Sequence, residues 1–273
     1  MTNNLKRLGF GGSAVIDGVQ VLVTSGSLDI AKSPSYLNPL DISPTQVSRS
    51  RVLHADGTEA YSLNIGLDVT QNFLGVLTTL KLFKRRYSFT AGFNDGETAK
   101  GLTNCFVTSL SISGAAGGLM TASLSLVSSS SPSTPIVPNN YIGFQGATGW
   151  SPNDFPLGYW YSGNTNVKDW SLSMTQEANP VYLNQDVPTP RYIKVGLVTY
   201  TLQVTTYEQV YPYSPSPTGG TDEIKISTGS FTLTGKVTSE SATFNGPSDL
   251  GGYTHSFETS ANATTGSGDT IIT

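Results

Sequence analysis

Residues 105–129 read CFVTSLSISGAAGGLMTASLSLVSS and contain no charged side chain. Phe106, Leu110 and Ile112 stand on even positions, and across the glycines so do Met120, Ala122, Leu124 and Leu126. The odd positions are largely Ser109, Ser111, Ser113, Thr121, Ser123 and Ser125. A period of two is the strand period, because successive Cβ atoms leave opposite faces of a pleated strand. Gly114, Gly117 and Gly118 supply a turn between the runs. The stretch predicts a long β-hairpin with one apolar face and one face of small hydroxyls.

The same alternation recurs in Tyr61, Leu63, Ile65, Leu67 and Val69, and again in Val198, Tyr200, Leu202 and Val204. It breaks over residues 71–83, where Phe73, Leu74, Leu77 and Leu80 fit a helical stripe and predict a short helix. The basic run that follows, Lys84, Arg85 and Arg86, suits a helix C-terminus and its dipole. It reads first as a solvated cap, next as a contact with an acidic neighbouring subunit, and least as a nucleic-acid contact, because the cluster is isolated.

Composition narrows the function classes. Charged residues are only 12% of the 273, about half the ~25% usual for a globular chain. β-branched and aromatic residues in alternating patterns exclude a disordered chain. So little charge implies that much of the surface is covered in an assembly. Residues 1–140 carry a net charge of +2 and residues 141–273 carry −6. Neither half has the basic excess of a protein that wraps nucleic acid. Cys105 has no second cysteine to pair with and reads as a small buried hydrophobe. No apolar run approaches a signal h-region or the ~18 residues of a membrane helix, so the expectation is a chain without a membrane segment, assembled in a reducing cytoplasm.

Internal similarity suggests that the chain is written twice. Ser27-Leu28 answers to Ser171-Leu172, and Pro34, Tyr36, Leu37 and Asn38 answer to Pro180, Tyr182, Leu183 and Asn184. In the same order, Leu67-Asp68-Val69-Thr70 matches Leu202-Gln203-Val204-Thr205. Val107-Thr108-Ser109 then matches Val237-Thr238-Ser239, and Thr121-Ala122-Ser123-Leu124 matches Thr254-His255-Ser256-Phe257. The expected organisation is a first β domain over 1–127 and a second, with a C-terminal tail, over 161–273. Between them, 128–160 is a Ser/Pro linker followed by an aromatic segment. That segment holds Trp150 and Trp160 and reads as a hinge or an arm on a neighbouring subunit; the alternative is a sugar-stacking platform.

A search for chemistry yields no catalytic constellation. The two histidines, His54 and His255, lack ligand or triad spacing and read as structural. Gly9, Gly11 and Gly12 follow no strand, so they form no phosphate cradle. Asp222 and Glu223 could serve as a glycosidase pair only if brought together in space with the right separation, and nothing in the sequence argues for it. The expectation is a protein that is not an enzyme and uses no cofactor or metal.

The pattern from Cys105 to Ser125 resembles the closing hairpin of bacteriophage tail tube proteins. Trp170-Ser171-Leu172-Ser173, Pro180 to Asn184, and Gly251 to Ser260 are similar to further segments of that family. The resemblance implies an all-β fold of two tandem β-sandwich or split-barrel domains, each contributing hairpins to an oligomeric barrel, with a short flanking helix. It implies self-association into a ring, a trimer when two domains share a chain and a hexamer otherwise. Rings would stack head-to-tail, opposite charge on the two halves favouring a fixed order. Other tail proteins would be partners, and double-stranded DNA would pass through the channel of a virion tail. In such a tube Ser109, Ser111, Ser123, Ser125, Ser239 and Glu240 are the candidates to line the lumen. Lys84, Arg85, Arg86, Trp150 and Trp160 are the candidates for contacts between subunits. A non-stacking baseplate or terminator ring, and a carbohydrate-binding or adhesin β-sandwich, are the competing readings.

Overall fold

In the computed structural model the described residues are 13–37, 53–69, 73, 88–94, 99–115, 120–133, 167–183, 188–207, 223–228, 231–243 and 252–260. The strands are β1 (Ser13–Ile16), β2 (Val19–Leu37), β3 (Leu53–Asp68), β4 (Phe89–Asn94), β5 (Ala99–Ala115) and β6 (Thr121–Ser128) in the first half. The second half contributes β7 (Val167–Val181), β8 (Tyr192–Thr206), β9 (Glu223–Thr228), β10 (Phe231–Thr243) and β11 (Gly252–Ser260). They form an 11-stranded antiparallel sheet in the order β4-β1-β2-β3-β6-β5-β7-β8-β11-β10-β9. Of the helix expected over 71–83, only Phe73 is among the described residues, and it is fully buried. Lys84, Arg85, Arg86, Trp150 and Trp160 lie outside them.

Pairing of β4 with β5 closes β4-β1-β2-β3-β6-β5 into a six-stranded barrel. β5 makes this possible by being long. Its first part, from Ala99 to Cys105, pairs with β4. Its last part, from Ser109 to Ala115, has parted from β4 and pairs with β7 while Ser109 to Ser113 stay paired with β6. The sheet therefore runs from the barrel into the second half without a break. Tyr61, Leu63, Ile65, Leu67 and Val69 are buried as their alternation predicts, and they pack with Leu110, Ile112, Leu124 and Leu126 into one core. Each such side chain contributes about 1.5–3 kcal/mol on full burial.

The opening hairpin forms, with one change of phase. Leu110, Ile112, Ala122, Leu124 and Leu126 are buried, but Phe106 is only half-buried, while Cys105 and Val107 are buried. The cause is a bulge. Val107 pairs with Leu126 and Ser109 with Ser125, so Thr108 is an extra residue and the inward series moves from odd to even across it. The Thr108 hydroxyl donates to the Ser125 carbonyl at 3.0 Å, which helps satisfy the backbone where the ladder is interrupted.

The halves repeat each other in strand order and in register. β2-β3-β6-β5 and β7-β8-β11-β10 are the same arrangement. Ser27 pairs with Asn64, Asn64 with Ser125, and Ser125 with Ser109. In the second half Ser171 pairs with Gln203, Gln203 with Ser256, and Ser256 with Ser239. Bulges fall at matching places, Val23/Ser25 with Val167/Asp169 and Val107/Ser109 with Val237/Ser239. Two of the matches read from the sequence need correction. Leu67 occupies the place of Thr206, four residues from Leu202, and Ser125 that of Ser256, a slip of two for that strand.

β1 and β2 are joined by a two-residue hairpin turn at Asp17 and Gly18, with φ of 49° and 82°. Both lie in the left-handed region that such turns require, where Gly carries no Cβ penalty. Gly18→Val is expected to destabilise the fold by about 1–2 kcal/mol, measured as a shift of the urea midpoint. No shift would mean that β1 contributes little to the barrel.

Candidate functional site

Consecutive strand residues alternate between faces, and residues directly opposite in a ladder share one. The registers therefore define rows that cross the sheet. One row is Gly66, Ser123, Ser111, Ser173 and Thr201. A second is Asn64, Ser125, Ser109, Thr175 and Thr199. A third is Asp68, Thr121, Ser113, Ser171, Gln203, Ser256 and Ser239. Together they make one face that spans both halves and, apart from Gly66 and the acidic Asp68 at one end of the third row, consists of small neutral polar residues.

Ser111, Ser113, Thr121, Ser123, Thr175, Thr201, Gln203 and Ser239 are exposed, and Ser109, Ser125, Ser171 and Ser173 are half-buried. Neighbouring hydroxyls and amides bond one another in places. Ser113 Oγ and Thr121 Oγ1 are 3.3 Å apart, and Asn64 Nδ2 donates to Ser27 Oγ at 3.4 Å. Along the first row the ladder continues from Thr201 to Glu258 and then to Lys236, which are in register with each other.

Ser109, Ser111, Ser123, Ser125 and Ser239, five of the six residues expected to act together, share this face. Glu240 does not share their register series. It pairs with His255, as Leu110 pairs with Leu124, and so takes a position of the apolar series. The sequence reading overlooked the contribution of β7 and β8, although Thr199, Thr201, Gln203 and Thr205 alternate visibly with the apolar residues that drew attention.

A second polar cluster ties the far ends of the two long hairpins. Glu59 on β3 accepts from Lys32 Nζ at 2.7 Å and from the Tyr61 hydroxyl at 2.6 Å. Its carbonyl accepts from the Tyr182 hydroxyl at 2.8 Å, and its N–H donates to the Pro188 carbonyl at 2.8 Å. The second half thereby reaches back onto the first. Lys32 above all, and then Tyr61, hold the Glu59 carboxyl below its ordinary value of 4.5. Burial, and then Glu59, push the Tyr61 hydroxyl up to about 12. A carboxyl with a depressed folded pKa stabilises the fold above its unfolded pKa, and that contribution is lost as pH falls through the folded value. The native protein should therefore outlast Glu59→Gln in urea at neutral pH and lose that advantage below about pH 4.5. A gap that survives strong acid would assign the effect to packing instead.

Burial pushes the Cys105 thiol up to about 12, and the thiol donates to the Leu102 carbonyl at 3.3 Å. At neutral pH it is neither a nucleophile nor a metal ligand, because both roles need the thiolate. No protein-family model matches the chain, and no curated protein matches it.

Proposed function

We propose that this chain is the structural subunit of a phage tail tube, in which copies close into a ring, rings stack head-to-tail, and double-stranded DNA passes through the channel. The reading is carried by the largely uncharged polar face that runs across both halves. DNA must move past such a wall without being held. Lysine or arginine there would bind phosphates and release counterions, a strong and sequence-independent attraction. Hydroxyls keep a layer of water and offer no fixed positive charge, and Lys236, at the end of the first row, is in register with the acidic Glu258. Ser109, Ser111, Ser123, Ser125 and Ser239 line the lumen in this reading. Glu240, in the other series, belongs to the subunit's packed side or to a seam.

Two repeats per chain favour three copies per ring, with six equivalent sheets around the channel. The subunit then acts by shape and charge, without catalysis or cofactor, in a virion tail with other tail proteins as partners. The test is negative-stain electron microscopy of the purified protein over a concentration series, with light scattering for mass. Hollow tubes or stacked rings of three copies are expected. Rings that never stack would point to a baseplate or terminator component, and a monomer at every concentration would overturn the reading in favour of a glycan-binding module.

A further inference from the structure

The molecule contains a strand junction between repeats and, at its two ends, the halves of another one. β7 is covered on both sides, by β8 and by β5. Its counterpart β2 is covered by β3 on one side, while on the other side β1 reaches only Val19 to Leu22. Among the described residues, no strand pairs with that edge of β2 beyond Leu22. β10 shows the complementary gap. β11 covers one side, β9 covers the other from Phe231 to Lys236, and among the described residues the rest of that edge, to Thr243, is unpaired. In the first half the equivalent edge of β5 is the one that β7 occupies.

We propose that a second copy of this chain lays its β2 edge antiparallel against the β10 edge, in the register that β5 and β7 already use within one chain. It rests on the tube reading for what the joined sheets enclose, and on the chain's own registers for the seam. Ser109 pairs with Thr175, Ser111 with Ser173 and Ser113 with Ser171. Carried over by the repeat, Ser239 meets Ala31 of the second copy, Ser241 meets Asp29, and Thr243 meets Ser27.

Exposure agrees with this assignment. Residues 24–34 are exposed apart from half-buried Leu28. Ile30 is 47% exposed, whereas Met174, its equivalent at the internal junction, is 0% exposed. Leu28 likewise corresponds to buried Leu172. An apolar residue left open at a position that its twin buries under a neighbouring strand marks a missing strand. The register also aligns the faces. Ser27 and Asp29 continue the polar rows past Thr243 and Ser241, and the opposite series brings Leu28 against Ala242.

One layer departs from the internal template. Glu240 stands where Leu110 stands, opposite Ile30 of the second copy and diagonal to its Lys32. By register alone this sets an acidic residue diagonal to a basic one. A charge in the apolar series of an unpaired edge also discourages indiscriminate strand addition, a common protection of free edges. Because the two edges differ, the contact is heterologous, and repetition of it closes a ring or extends a filament.

The test is a paired-cysteine variant, Asp29→Cys with Ser241→Cys, in the full chain. Opposed antiparallel residues have Cα atoms about 4.5–5.5 Å apart, within the span of a disulfide. Both sites are exposed, and the buried Cys105 stays out of the reaction. Mild oxidation should convert the monomer band on a non-reducing denaturing gel into a ladder of covalent multimers. Ser33→Cys with Ser241→Cys, out of register, should give none. The internal pair Ser111→Cys with Ser173→Cys should close within one chain and show that the template geometry holds. A monomer band that persists, or an equal ladder from the out-of-register pair, overturns the seam. Microscopy separates the two claims. Tubes without cross-links leave the tube reading standing and remove this seam, whereas cross-linked multimers that never enclose a channel keep the seam and remove the tube.

Discussion

Ser111→Lys combined with Thr201→Lys is expected to turn an assembly that lets DNA pass into one that holds it. Both side chains are exposed on the same row and are separated by Ser173, so the new cations do not stand directly opposite each other. Exposed substitutions of this kind change stability by about 0.5 kcal/mol or less, which leaves fold and assembly in place. In a ring of three copies the channel gains about six cations. Contacts with about six phosphates produce binding that weakens roughly a thousandfold between about 50 and 200 mM salt. Fluorescence anisotropy of labelled duplex DNA, titrated with assembled protein at several salt concentrations, reads this directly. The unmodified assembly should show no comparable affinity at any of them. If the variant binds duplex no better than the unmodified assembly, the polar face does not line a channel.

Trp170→Ala is expected to be the most destabilising single change, at about 3–5 kcal/mol. Trp170 is buried where the second half leaves the barrel, and it pairs with Gly114 across the β5–β7 junction. A Cβ on Gly114 would lie 2.9 Å from Trp170 Nε1 and 3.2 Å from Cε2, so the indole lies against the bare glycine backbone. Removing the ring leaves a cavity at the junction that joins the repeats. Adding bulk from the other side, as in Gly114→Val, overfills the same space and should cost about 1–3 kcal/mol. Urea unfolding followed by circular dichroism should show both losses, with the larger one for Trp170→Ala. Limited proteolysis should cut the second half first. A loss below 1 kcal/mol for Trp170→Ala would mean that backbone pairing alone holds the halves together.

The two predictions draw on different layers of information. Which residues of β3, β5, β6 and β8 belong to the hydroxyl series was legible before any fold was known, because alternation is a property of neighbouring Cβ atoms. The turn at Asp17-Gly18 carried an equally local signal, an Asp-Gly pair between apolar runs, and was passed over. The phase change at Thr108 had no such signal. A bulge is an extra residue relative to a partner strand, and the partner is not local.

Ser/Thr-rich strands resemble one another at every even offset. Sequence matching therefore set Thr121-Ala122-Ser123-Leu124 beside Thr254-His255-Ser256-Phe257, whereas the ladders pair Ser125 and Ser256 with equivalent partners. A slip of two keeps every side chain on its face and changes only its partner. The sequence by itself determined that the protein is built of strands, that it repeats, and which residues of a given strand alternate onto one face. Only the tertiary structure decided that β4 closes a barrel, that β5 parts from β4 to meet β7, and that Glu240 stands in Leu110's place. Those are matters of register between segments far apart in the chain, where many pairings satisfy the alternation and the whole sheet selects one.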